Sequence, residues 1–219
     1  MFKKMMLALT CASVMSLAQG ATVLVEEDFD DVSLLDSQGW VFINASEPPG
    51  PAPGWVQGSP SVFAAQSGAD NAYIVSNYEA AAPGGILNNQ LYTPEFSVEN
   101  GAIATFYLRA DQFPGFSDIL TYGYTDGVAD PAGFIKMMTV TVPTDGWTQY
   151  TITLAARGAG STARLGFVHS GEEQSSNYVG LDTLRILELD EPTTVPEPAS
   201  LMIVGLGLAG LGVARRRRR

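Results

Sequence analysis

The sequence predicts an all-β body, a sandwich or barrel, set between an N-terminal signal peptide and a C-terminal transmembrane helix. Three observations carry this. Ala102, Ala104, Phe106 and Leu108 alternate with Ile103, Thr105, Tyr107 and Arg109, and Tyr150, Ile152 and Leu154 alternate with Gln149, Thr151 and Thr153. That period of two belongs to half-buried strands. Turn signals then recur along the chain at short spacing, among them Pro48-Pro49-Gly50, Pro83-Gly84-Gly85, Asn100-Gly101, Asp126-Gly127 and Asp145-Gly146. No segment carries the apolar 3.6-residue pattern of an amphipathic helix.

Taken in order, the β-rich runs are Thr22 to Val25, Trp40 to Ile43, Tyr73 to Val75, Ala102 to Arg109, Ile119 to Tyr124, Met137 to Val142, Gln149 to Leu154, Arg164 to Val168 and Tyr178 to Leu189. The stretch from Glu47 to Pro60, dense in Pro and Gly around Trp55, reads as a long surface loop. Together these segments fill residues 21–192, a length that suits one domain with a full core.

The two ends are addresses. Lys3 and Lys4 precede an apolar run from Met5 to Leu17, and Ala18-Gln19-Gly20 offers small residues where a signal peptidase reads. Residues 1–20 are therefore expected to be a secretory signal removed before Ala21, against an uncleaved anchor or a lipoprotein acylated at Cys11. At the other end, Val195-Pro196-Glu197-Pro198 stops regular structure, since proline disfavours helix both at its own position and at the one before it. A hydrophobic helix over 199–214 and five arginines, Arg215, Arg216, Arg217, Arg218 and Arg219, complete the chain. From Pro198 to Ala214 a helix would span roughly 25 Å against a hydrocarbon core of about 30 Å, a marginal crossing that arginine snorkelling extends. The arginines are expected to stay cytoplasmic, placing the body on the far side of the inner membrane.

With the ends set aside the composition changes. All 23 acidic residues lie between Glu26 and Glu197, with only five of the 12 basic ones, a net charge of −18. Such a surface excludes nucleic acid and anionic lipid headgroups as ligands and favours cations. The single cysteine is Cys11, so the body has no disulfide, thiolate metal site or cysteine nucleophile. No G-x-S-x-G, H-E-x-x-H, P-loop or dinucleotide fingerprint is present. His169, the only histidine, shares a strand face with Leu165 and Phe167, which predicts a hydrogen-bonded structural imidazole. Carboxylate pairs such as Glu172 with Glu173, or Asp111 with Asp118, leave an acid/base pair for glycan cleavage open.

Glu27-Asp28-Phe29-Asp30 followed by Gly39-Trp40, then Gly146-Trp147-Thr148-Gln149-Tyr150, Leu165-Gly166-Phe167 and Val179-Gly180-Leu181-Asp182-Thr183-Leu184-Arg185-Ile186 resemble the choice-of-anchor J type of domain, related to cleaved-adhesin and MAM-like jelly rolls. Thr183 departs from the asparagine such domains often place after the aspartate. The resemblance makes the expected fold a jelly-roll-like β-sandwich, with Trp40 and Trp147 as packing residues. The tail, residues 193–219, resembles the PEP-CTERM sorting signal. This implies processing by an exosortase-type enzyme near Pro196-Glu197-Pro198, in Gram-negative bacteria that make exopolysaccharide or biofilm matrix, with the protein tethered to the inner membrane and then passed to the cell surface or matrix.

Two candidate sites follow. By alternation Asp182 shares a face with Leu184 and Ile186, and an ionised group so placed needs a partner. In the resembled jelly rolls the first and last strands lie close and can hold a cation, so Asp28, Asp30 and Asp182 are candidate calcium ligands, calcium taking oxygen donors only. The alternative is a solvated acidic face with Asp182 capping a turn. Trp55, with Phe113, Phe116, Tyr122 and Tyr124, is a candidate exposed aromatic patch for a glycan, or else an ordinary loop anchor. The functions left standing are a non-catalytic adhesion or exopolysaccharide-binding protein, a secreted glycan-active hydrolase or lyase with the same tail, and a structural surface protein without a ligand.

Overall fold

The computed structural model describes residues 21–189. The expected signal peptide over 1–20, the sorting motif, the expected hydrophobic helix over 199–214 and the terminal arginines lie outside the described residues. Among the described residues no helix is long and apolar enough to cross a membrane.

Thirteen strands follow one another: β1 (Val23–Glu27), β2 (Val41–Asn44), β3 (Glu47–Pro49), β4 (Trp55–Gln57), β5 (Ile74–Asn77), β6 (Ala81–Tyr92), β7 (Phe96–Ser97), β8 (Ala102–Ala110), β9 (Ile119–Thr125), β10 (Ile135–Thr141), β11 (Thr148–Leu154), β12 (Thr162–Glu172) and β13 (Tyr178–Glu188). They form two antiparallel sheets, a jelly-roll-like sandwich. One runs β11-β8-β13-β5-β4, with β1 also on β13; the other runs β10-β9-β12-β6-β2, with β3 on β6 and β7 on β12.

Alternation places the core between the sheets. Phe106 and Leu108 of β8 face Leu165 and Phe167 of β12, all fully buried, and the Phe106 and Phe167 rings meet edge to face at 4.9 Å. Burying each such side chain contributes about 1.5–3 kcal/mol, so the inward rows of these strands hold the layers together.

β6 was not among the expected strands, and it is the longest. The Pro83-Gly84-Gly85 signal reads as a turn, yet here it lies within the strand opposite the irregular pairing of β3. A Cβ on Gly85 would lie 2.9 Å from the carbonyl oxygens of Ala82 and Glu47, so this glycine serves close backbone approach. The expected loop from Glu47 to Pro60 likewise contains β3 and β4.

β13 changes partner midway. Along one edge β8 runs its whole length, while on the other β5 pairs with Tyr178 to Leu181 and β1 with Leu184 to Leu187. At the changeover Thr183 adopts φ +50° and the register shifts between Asp182 and Arg185. The bulge resets the alternation, so that Leu181, Leu184 and Ile186 all join the core. This corrects the expected placement of Asp182: it does not share a face with Leu184 and Ile186 but lies on the outer side of the sheet, under the segment joining β4 to β5. That segment packs a second apolar layer there, with Phe63 stacked on Tyr73 at 5.1 Å and edge to face with Trp147 at 5.5 Å.

Candidate functional site

The outer face of the seven-stranded sheet carries a groove of about 360 Å³. Its floor follows from the alternation of three neighbouring strands. On β6, Leu87, Asn89 and Leu91 point inward, which turns Asn88, Gln90 and Tyr92 outward. The same rule turns Gly166, Val168 and Ser170 outward on β12, and Thr121 and Gly123 on β9. Register aligns them in rows across the strands: Tyr92 beside Gly166 and Gly123, Gln90 beside Val168 and Thr121, and Asn88 beside Ser170 and Ile119.

Polar groups run along this floor. The Tyr92 hydroxyl donates to Gln90 Oε1 at 2.8 Å, and Gln90 Nε2 donates to Asn88 Oδ1 at 3.0 Å, fixing both amides. Burial, with the Asp130 charge adding to it, pushes the Tyr92 phenol up to about 12, so the hydroxyl stays a donor at neutral pH. Across the groove the Thr121 and Thr139 hydroxyls share a hydrogen bond of 2.8 Å. Phe134, from the segment joining β9 to β10, closes one end edge to face with Tyr92. A Cβ on Gly166 would lie 2.7 Å from both rings, so glycine lets them descend to the sheet. Lys136 is the one charged side chain in the lining, which contains no carboxylate. A surface of amides and hydroxyls beside apolar Val168 and Ile86 suits a neutral ligand with many hydroxyl groups.

Beneath this face lies a sealed polar network. The His169 ring bonds Ser76 Oγ through Nδ1 at 2.9 Å and Asp118 Oδ1 through Nε2 at 3.0 Å; Asn89 Nδ2 donates to Ser76, and the Asn177 N–H to Asp118. Serine, histidine and aspartate stand in the order of a nucleophilic relay, yet none reaches solvent. The network ties β5 of one sheet to β12 and β6 of the other, in agreement with a structural imidazole. Its partners come from separate strands, and no local sequence signal announces them.

The expected calcium ligands are not brought together as a set. Asp182 has no exposed surface, and its carboxylate accepts N–H groups from Thr183 at 2.6 Å, Gln66 at 2.7 Å and Ser67 at 3.3 Å. Thr183 Oγ1 also donates to Gln66 Oε1, closing a clasp between β13 and the β4–β5 segment. Burial raises the Asp182 carboxyl to about 6, against the lowering effect of the N–H groups. Asp28 and Asp30 are exposed. Asp30 Oδ1 approaches Gly68 of the same segment, so Asp30 and Asp182 both border one loop. Beside them the Glu27 carboxyl is raised, by burial first and then by the Asp28 and Asp30 charges. Among the described residues no three His, Cys, Asp or Glu side chains converge on a point.

The expected aromatic patch also changes. Trp55 is only 4% exposed and belongs to the core, its indole N–H lacking an acceptor; as the first residue of β4 it is set by a strand, not a loop. Tyr122 is buried against Phe106, and Tyr124 lies beneath the Arg157 guanidinium. Phe113 is exposed and Phe116 half-buried, the two meeting edge to face at 5.1 Å. Trp40 and Trp147 pack as expected, the latter donating its indole N–H to the Ala64 carbonyl. The residues that build the groove were not anticipated, although the run Asn88-Asn89-Gln90 in the unrecognised strand was the available signal.

Fold and groove define a class, the β-sandwich domain with an open polar sheet face. The chain is similar in fold to the K1 cleaved adhesin domain of Lys-gingipain from Porphyromonas gingivalis, at 20% identity and a TM-score of 0.56, over 76% of this chain and 98% of that domain. The K3 cleaved adhesin domain of the same protein gives 22% identity and a TM-score of 0.54, over 77% and 99%. At its C-terminus the chain carries the PEP-CTERM protein-sorting motif, matched over residues 194–219. No curated protein is similar enough in sequence to count as a relative.

Proposed function

We propose that this is a non-catalytic surface protein that binds neutral exopolysaccharide through the groove on the outer face of the seven-stranded sheet. In this reading the chain is exported in a Gram-negative envelope, held at the inner membrane by its tail, processed near Pro196-Glu197-Pro198 by an exosortase-type enzyme, and released to the cell surface or biofilm matrix. The sorting motif supports the route. The observation that carries the ligand is the row of fixed amides and hydroxyls, Asn88, Gln90 and Thr121, on a floor with no carboxylate.

The same floor supports binding over cleavage. Glycoside hydrolysis needs two carboxyl groups flanking the bond. Of the four carboxylates named from sequence, Asp118 is sealed beneath His169, Asp111 accepts from the Asn177 amide and Glu173 from the Gly84 N–H, while Glu172 is exposed and outside the groove lining. Incubation of the purified protein with exopolysaccharide tests both readings. Retention that is lost in Gln90→Ala, without new reducing ends or unsaturated products, is expected; products that vanish when one carboxylate is replaced would establish a hydrolase or lyase instead.

A further inference from the structure

The groove does not stop at the edge of its sheet. Ile86 lines its end and also lines a neighbouring hollow of about 250 Å³ with Gly84, Gly85, Glu172 and Gln174. Gln174 in turn lines a third hollow, of about 370 Å³, with Phe113, Phe116, Tyr78, Glu173 and Asn177. Ile86 and Gln174 each border two of the hollows, so the three lie in succession from Phe134 over the rim to the Phe113–Phe116 pair. The chain brings this rim together by backbone bonds: Ser117 N–H donates to the Ser175 carbonyl, and Tyr78 N–H to that of Asn177.

The far end differs in chemistry from the groove. Phe113 is 58% exposed, which leaves an aromatic face open to solvent where burial would be favourable. Glu173 uses one oxygen to accept the Gly84 N–H at 2.9 Å, and Asn177 uses its amide nitrogen toward Asp111, leaving the second Glu173 oxygen and the Asn177 amide oxygen open to a donor. None of the five basic side chains between residues 21 and 189 lines this hollow, while Glu173 lines it and Glu172 the neighbouring one. Open aromatic rings beside carboxylates with no competing cation select a ligand that is apolar on its faces and positively charged at its edge.

We propose that the rim hollow is a second binding site, taking a sugar with a free amine, and that one glycan chain lays neutral sugars in the groove and its amine-bearing sugar on the rim. The continuity with the groove rests on the preceding reading; the rim chemistry does not. The sugar ring stacks on Phe113, with Phe116 standing edge to face beside it, while its ammonium group donates to Glu173 and the Asn177 carbonyl oxygen.

Calorimetric titration of the purified chain with glucosamine oligomers, and with N-acetylated oligomers of equal length, tests this. The amine form is expected to bind about ten-fold more tightly, with that advantage shrinking at high salt. Phe113→Ala with Phe116→Ala should lower its affinity about ten-fold at an unchanged melting temperature, Phe113 being largely exposed. Glu173→Gln, which keeps an oxygen for the Gly84 N–H, should remove the preference for the amine, and Glu99→Gln at the other end of β8 should not. Equal binding of both oligomers overturns the amine assignment. Equal weakening by Glu99→Gln and Glu173→Gln shows general attraction to an acidic surface and overturns the site. Loss in Gln90→Ala alone keeps the groove and removes the rim; loss in the Phe113 and Phe116 variant alone keeps the rim and removes the groove.

Discussion

Asp182 shows how far single residues could be read. Its acidity beside aliphatic neighbours marked it as a buried group in need of partners, and it has them. What failed was its direction, because Thr183 adopts a left-handed conformation that a β-branched residue ordinarily avoids, and one such residue reverses the alternation. The raised carboxyl has a defined consequence for pH. With a folded value of about 6 against roughly 3.9 unfolded, the native state binds the proton more tightly, so this group favours folding fully below pH 4 and loses that contribution as pH rises through 6. Melting temperatures measured from pH 4 to 7 should fall across that window, and Asp182→Asn should flatten the slope. At pH 7 the same variant should be less stable by about 1–3 kcal/mol, since one amide oxygen cannot replace two carboxylate oxygens toward three N–H groups. Because Asp182 is committed to backbone donors, the melting temperature should also be the same in calcium and in EDTA; a clear rise with calcium would restore a cation to Asp28 and Asp30.

At the scale of elements, the strands with clean alternation were legible and the one that matters most was not. β8 and β11 present the inward rows that their sequences imply. β6 hides behind Pro83-Gly84-Gly85, because glycine that admits a close backbone and glycine that makes a turn look alike in sequence. With β6 missing, Gln90 could not be placed beside Val168 and Thr121, nor Asn88 beside Ser170, and the groove was invisible. Gly166 offers a test at this scale. Its replacement by alanine puts a methyl group 2.7 Å from the Tyr92 and Phe134 rings, so the groove wall must move. We expect a loss of about 1–3 kcal/mol, and glycan retention reduced along with it while the far-ultraviolet circular dichroism stays that of the native sandwich.

For the whole molecule, the address was the most legible part, since a sorting motif is a contiguous string and a ligand site is assembled from distant strands. Deleting residues 194–219 should shift the protein from the membrane and surface fractions to the medium, and mass spectrometry of the mature chain should find Ala21 at one end and a terminus near Pro196 to Pro198 at the other. The body's two ends also share a position. β1 and β13 pair as Val23 with Leu187, so residues 21 and 189 leave from the same end of the sandwich, beside Ala102, whereas Ala110 and the Phe113–Phe116 rim stand at the opposite end. A tether beyond residue 189 and a ligand on the rim would thus act on opposite ends of the sandwich. Tension between a glycan held there and an anchored tail would be carried along the length of β13. Its ladder bonds to β8, β5 and β1 lie across that direction and resist sliding together, so the domain would bear such a pull in shear and not unzip strand by strand.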